Sequence, residues 1–241
     1  MIDGLEFAAR YSLVPNSFGY CGGNNFAKIF SGYLKRKVSK KELIFELKKF
    51  KSLYAYLKTI ARANKKKPFD RDVLEAFWIG NSLLKKVTQK DIKNLILDGL
   101  CKNAGMDRKR AISSAKNLPK NILIHHSFNS LYLNFVGNSV PRTLSNFDNC
   151  RVGWGKVIAV NKKYCILDYA PIKRVEKRYC LAKPIKRRFN RYVCGILLEP
   201  NINIGDLVST HWGAVVQKIN KKQLFSLKKF TYINFCHINT F

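Results

Sequence analysis

The spacing of the apolar residues changes once along this 241-residue chain, and that change limits what it can fold into. Up to about residue 120 the apolar positions recur every three or four residues. In "SKKELIFELKKFKSLYAYLKTIARAN", Leu43, Leu47, Phe50, Tyr54, Leu57 and Ala61 fall on one helical face, and Ser39 with Glu42 three residues later forms a capping-box pattern. "NNFAKIFSGYL", "DRDVLEAFWIGNSLLKKV", "TQKDIKNLILDGLCKNAG" and "DRKRAISSAKNL" read as further helices, with Thr88 as an N-cap and Gly105 suited to a helix end.

From Asn121 the pattern shortens. "NILIHHSF" and "SLYLNFVG" predict two strands joined by a short turn. After the polar stretch "PRTLSNFDN", "WGKVIAV", "KYCILDYA", "RYVCGILLEP" and "GDLVSTHWGAVVQKI" predict short strands at close spacing, as in a small Greek-key barrel. The fold class expected is therefore α+β. A mainly helical domain with a β-hairpin spans 1–145, and a small OB-like β-barrel spans 146–241.

Composition narrows the function classes. The chain is 46% hydrophobic, enough for a substantial core. The start, "MIDGLEFAAR", is not a secretory signal. The longest uncharged stretch, Asn121–Val140, contains two His, four Asn and three Ser, too polar for a transmembrane helix. A cytoplasmic protein with no membrane association is expected. Seven cysteines, an odd number with no C-x-x-C, argue against a disulfide framework or a structural zinc site. The net charge of +30 has two readings. Clustered Lys and Arg neutralise phosphates in nucleic-acid-binding proteins; alternatively, an AT-rich genome enriches Lys, Asn, Ile and Phe everywhere.

The remaining candidates are Cys and His. Cys21, in the Gly-rich turn "FGYCGGNNFAKIF", precedes a helix, whose dipole favours a thiolate. It is either a nucleophile paired with a distant histidine or a packed structural thiol. His125 and His126 are neighbours on an expected strand and face opposite sides, so at most one enters a given site. His211 shares a strand face with Leu207 and Ser209.

Three segments in order carry a resemblance: "CRVGWGKVIAV", "YCILDYAPIKRVE" and "IGDLVSTHWGAVVQKINKKQL". Together they resemble the small hydrogenase assembly chaperones of the HypC/HupF type, over about the C-terminal third of the chain. The family's cysteine falls on Cys150, its Gly-Lys-Val on Gly155, Lys156 and Val157, and its Asp-aromatic element on Asp168 and Tyr169. Its Gly-Asp falls on Gly205 and Asp206, and its histidine and following glycine on His211 and Gly213. The resemblance implies an OB-like barrel and a non-enzymatic, chaperone-type role. It also implies that Cys150 and His211 transiently carry iron with cyanide and carbonyl ligands, in contact with a maturation scaffold or metalloenzyme precursor. Thiolate suits that soft low-spin iron.

This chain differs from the family in three places. Here 149 residues precede the cysteine, Trp154 replaces a proline, and a basic insertion runs from about Lys173 to Cys194. The opening "GLEFAARYSLVPNSFGYCGG" looks like that of an uncharacterised bacterial and archaeal family. The alternative reading is a basic RNA- or DNA-binding protein using the barrel, with "KPIKRRFNRY" lining its groove. A cysteine hydrolase at Cys21 is the third, and the sequence supplies it with no oxyanion hole.

Overall fold

The computed structural model describes residues 3–23, 25–176 and 178–237. Among the described residues eight α-helices come first: α1 (Gly4–Ser17), α2 (Phe26–Leu34), α3 (Lys40–Lys49), α4 (Lys51–Ala63), α5 (Arg71–Trp78), α6 (Gln89–Asn94), α7 (Arg108–Lys116) and α8 (Leu144–Cys150). Among the described residues nine strands follow: β1 (Gly153–Val160), β2 (Tyr164–Tyr169), β3 (Ile172–Val175), β4 (Arg178–Leu181), β5 (Ile185–Asn190), β6 (Tyr192–Val193), β7 (Ile196–Leu197), β8 (Leu207–His211) and β9 (Ala214–Lys218). A last helix, α9 (Lys221–Phe235), returns to the helical part.

Local signals account for many of the boundaries. Ser39 accepts from the Glu42 amide, and Thr88 forms a full capping box with Asp91. The helix expected from residue 39 to 64 is instead two, broken at Phe50, whose ψ of 75° leaves the helical range. The expected hairpin over 121–137 is absent. That stretch runs irregularly to His125 and then turns helically through His126 and Ser127 into the π-helical turn Phe128–Tyr132. A strand alternation needs one wet face, but Ile122, Ile124, His125, His126, Ser127 and Phe128 are all buried. Among the described residues no strand pairs with it; the Asn234 side chain of α9 serves the Leu123 backbone instead, accepting from its amide (3.2 Å) and donating to its carbonyl (2.9 Å).

The C-terminal part is built on a five-stranded sheet. β1 pairs with β2, β2 with β5, β5 with β9 in parallel, β9 with β8, and β8 with β1, so the sheet closes on itself. Val157, Cys165, Leu167, Phe189, Val208 and Val215 fill its interior. A larger core extends from Phe7 to Phe235 and takes in Cys150, Trp154 and Trp212. "RYVCGILLEP" forms only the short β6–β7 pair, turning at Cys194 and Gly195, both with positive φ.

A buried ionic network fastens α8 to the sheet. The Asp148 carboxylate, 4% exposed, accepts from Arg151 Nε (3.1 Å), Arg187 Nη1 (2.6 Å), the Tyr169 hydroxyl (3.0 Å) and the Ile172 amide (2.9 Å). Arg151, 1% exposed, also donates to the Ala170 carbonyl (2.6 Å) and lies over the Trp154 ring. Arg187 Nη2 donates to Asn149 Oδ1 (2.7 Å). Removing one member of such a network leaves charges buried without a partner, which costs about 3–5 kcal/mol. Asp148→Ala is therefore expected to lower the unfolding free energy by about that amount in a denaturant titration, whereas Lys156→Ala, on the exposed face, should change it by less than about 0.5 kcal/mol.

Candidate metal centre

Cys150 ends α8, two residues after Asp148, and His211 ends β8. The pairing of β1 with β8, with Gly153 opposite Thr210, brings the two chain segments together. The His-Trp-Gly sequence has a local reason. Trp212 (φ 49°) and Gly213 (φ 75°) form the two-residue turn joining β8 to β9, where two successive positive φ values are needed to match the strand twist. The Trp212 amide donates to the Asn149 carbonyl (2.7 Å), tying this turn to the last turn of α8.

The helical part orients His211. Its Nδ1–H donates to the Tyr11 carbonyl in α1 at 3.0 Å. That carbonyl would normally receive the amide four residues later, but residue 15 is a proline with no N–H to give. The bond leaves the Nε2 lone pair exposed to the site. Nε2 has no hydrogen bond of good geometry, although the Cys150 backbone lies close enough to favour a proton on the ring. Tyr11 also reaches β8 through its hydroxyl, 2.6 Å from Ser209 Oγ.

His126 joins them. Its ring stacks on Trp78 (centroids 4.5 Å) and stands perpendicular to His211 (5.0 Å, 89°). Its Nδ1 also lacks a partner. One ligand atom from each of His126, Cys150 and His211 lies within 4.8 Å of the other two. All three residues are sealed from solvent, at 5%, 2% and 1% exposure.

Burial sets the protonation states. It pushes His211 down to about 4, against the pull of the Tyr11 and Cys150 backbones. It drives His126 well below the usual range, and His211 and His125 add to the effect. Both imidazoles are therefore neutral at pH 7 and able to bind a cation. Burial also holds the Cys150 thiol well above its ordinary value; neighbouring Cys21 adds to this, and the Trp212 side chain opposes it. A thiol and two neutral imidazoles with unpartnered nitrogens, all buried, are a donor set that fits a soft or borderline metal.

The other sequence candidates are placed differently. His125 is satisfied on both sides, by Ser127 Oγ (2.8 Å) and the Trp78 carbonyl (3.2 Å), and burial lowers it to about 3. It is a structural residue. Cys21 lies near Cys150, but burial raises its thiol to about 12, opposite to what a thiolate nucleophile needs. Lys156 and Asp168 face outward across the β1–β2 ladder. Gly155 lets β1 pass close to β2, since a Cβ there would come within 2.9 Å of the Asp168 carbonyl. Gly205 (φ 93°) turns the chain into β8, and Asp206 accepts from the Asn203 amide (2.8 Å) and Lys218 Nζ (2.8 Å). Sequence reasoning did not identify Tyr11, Pro15 or Trp78, which position the two site histidines. A proline inside a helical pattern was the one available signal.

The fold and site define a mixed helical and β-sheet protein with a buried Cys-His-His donor set. The chain belongs to DUF6390, a family of unknown function, whose model matches residues 1–241. No curated protein and no solved structure matches it. Among the described residues, no helix is long and apolar enough to cross a membrane.

The lowered histidines carry a pH prediction for the metal-free protein. Below about pH 6.5 the unfolded chain binds protons on His125, His126 and His211 that the native state does not, so stability falls with falling pH. Denaturant titrations between pH 6.5 and 4.5 should lose up to about 1.4 kcal/mol per pH unit per histidine. The slope should be shallower in His211→Gln.

Proposed function

We propose that this protein is an accessory factor in metalloenzyme assembly that encloses a soft metal unit at Cys150, His211 and His126. The unit that best fits the resemblance to the HypC/HupF chaperones is iron with cyanide and carbonyl ligands, bound as cargo for a hydrogenase-type precursor or its maturation scaffold. The observation that carries this reading is the meeting of the two motif residues, Cys150 and His211, at one buried point with free imidazole nitrogens. The closed sheet is in keeping with an OB-like barrel: its order, β1-β2-β5-β9-β8 with one parallel pair, suits a five-stranded Greek-key arrangement. In this reading the protein is cytoplasmic and does no catalysis.

The residues divide the work. Cys150 supplies the anionic donor: its Sγ–H bond breaks, an Sγ–metal bond forms and one proton leaves to solvent. His211, fixed by the Tyr11 carbonyl, presents one nitrogen in a defined tautomer. His126, held flat on Trp78, supplies a donor from the helical part that the motif itself does not contain. Cys150 lies within the chain and is enclosed, so the cargo is held inside rather than offered at a free terminus.

Two measurements test this. Protein purified without oxygen from cells making hydrogenase should show infrared bands of metal-bound cyanide and carbonyl, absent in Cys150→Ala. Full-length protein free of iron that takes up no Fe(II) or Co(II) contradicts the reading. Because between pH 6.5 and 8 the imidazoles are already neutral while the thiol is still protonated and must release its proton to bind, Co(II) affinity should rise about tenfold per pH unit there, with one proton released per metal. A pH-independent affinity would remove Cys150 from the ligand set.

A further inference from the structure

We infer that the outer face of β2 and β5, with the Asn161–Lys163 turn beside it, binds the backbone of single-stranded nucleic acid. This inference is independent of the metal reading.

The positive charge is not spread evenly. Residues 151–198 contain thirteen Lys or Arg against two acidic residues, compared with 45 against 15 in the whole chain. In the helical part some cations are held in ion pairs, Lys49 with Glu46, Arg62 with Asp91, Lys66 with Asp72 and Lys102 with Asp98 among them. On the outer sheet face the cations carry no such pair. Ladder register puts Asp168 opposite Lys186, Ile166 opposite Arg188 and Tyr164 opposite Asn190, all outward while Leu167 and Phe189 point in. Lys186 and Arg188 therefore stand on one face, two residues apart, about 6.8 Å along the strand. Lys162 and Lys163 extend this row at the adjoining turn. Among the described residues none of these four is in an ion pair, and Lys162, Lys163, Lys186 and Arg188 are all exposed.

The surface also has shape and aromatic character. Lys162, Lys163, Arg188, Asn190 and Tyr192 line a depression of about 530 Å³. Arg188 lies over the Tyr164 ring at 4.2 Å, and the Tyr192 ring is 47% exposed at the edge. Asn161 Oδ1 accepts the Lys163 and Tyr164 amides (both 2.9 Å), which fixes the turn and the start of β2 in place. A row of unpaired cations with a flat aromatic ring beside it fits phosphodiesters and a stacked base. An acidic peptide would use the cations and leave the ring idle. In small barrels of this kind the corresponding strands and turn are the oligonucleotide surface.

The test is fluorescence anisotropy of the full chain with a labelled oligouridine and a labelled oligothymidine at 50 and 200 mM salt. Lys162→Ala/Lys163→Ala/Lys186→Ala/Arg188→Ala should weaken binding at least tenfold and reduce the slope of log affinity against log salt by about two to three. Tyr192→Ala should weaken binding several-fold with the slope unchanged. A charge-matched variant on the helical part, Lys41→Ala/Lys48→Ala/Lys86→Ala/Lys93→Ala, should stay within about twofold of the parent. Equal loss in both quadruple variants, displacement by polyglutamate as readily as by unlabelled oligonucleotide, or no binding at 50 mM salt would each overturn the inference. Unchanged thermal unfolding of the variants excludes misfolding as the cause.

Discussion

The Asp148 carboxylate determines where this protein's chemistry can be. It is buried between two arginines, and its remaining acceptor positions are taken by Tyr169 and the Ile172 amide. A carboxylate so enclosed is tolerable only when every partner is in place. The partners come from α8, the α8–β1 junction, β2, β3 and β5, so meeting that demand fixes the end of α8 against the sheet. Cys150 lies two residues on and is placed as a consequence. Trp154 belongs to the same network as the surface under the Arg151 guanidinium.

The helical part completes what the sheet begins. A backbone carbonyl left without its helical donor by Pro15 receives the His211 N–H, so a helix defect in the first twenty residues sets the tautomer of a histidine two hundred residues later. Trp78 carries His126 to the same point, and Tyr11 also stacks on Trp78 (5.1 Å). The enclosure is therefore shared. Strand β8 contributes His211, the end of α8 contributes Cys150, and the rest of the helical part contributes His126 and the aromatic walls. Low polarity around the three donors explains both the neutral imidazoles and the reluctant thiol.

Much of this organisation was legible from residue pattern. The helical first part, the short strands β1 and β2 and the Ser39 and Thr88 N-caps follow from periodicity and turn chemistry, while the pairing of Cys150 with His211 comes only from the family resemblance. The misread elements share a cause. Residues 121–133 have strand-like composition, but an asparagine from α9, over a hundred residues away, satisfies the Leu123 backbone, and no local pattern reveals that. The break at Phe50 is likewise set by tertiary packing, because its ring lies against Phe26 (5.8 Å). His126 could be named as a candidate but not chosen over His125. The choice depends on which ring nitrogen finds a partner, and Ser127 and Trp78 satisfy His125 while the site side of His126 stays open.

X-ray absorption at the metal edge of protein loaded with one equivalent of Fe(II) or Co(II) tests the central claim most directly. The account predicts one sulfur and two imidazole scatterers in the first coordination sphere, with the sulfur lost in Cys150→Ala and one imidazole lost in each of His211→Ala and His126→Ala. A shell of oxygen and nitrogen alone, unchanged by these substitutions, would contradict it.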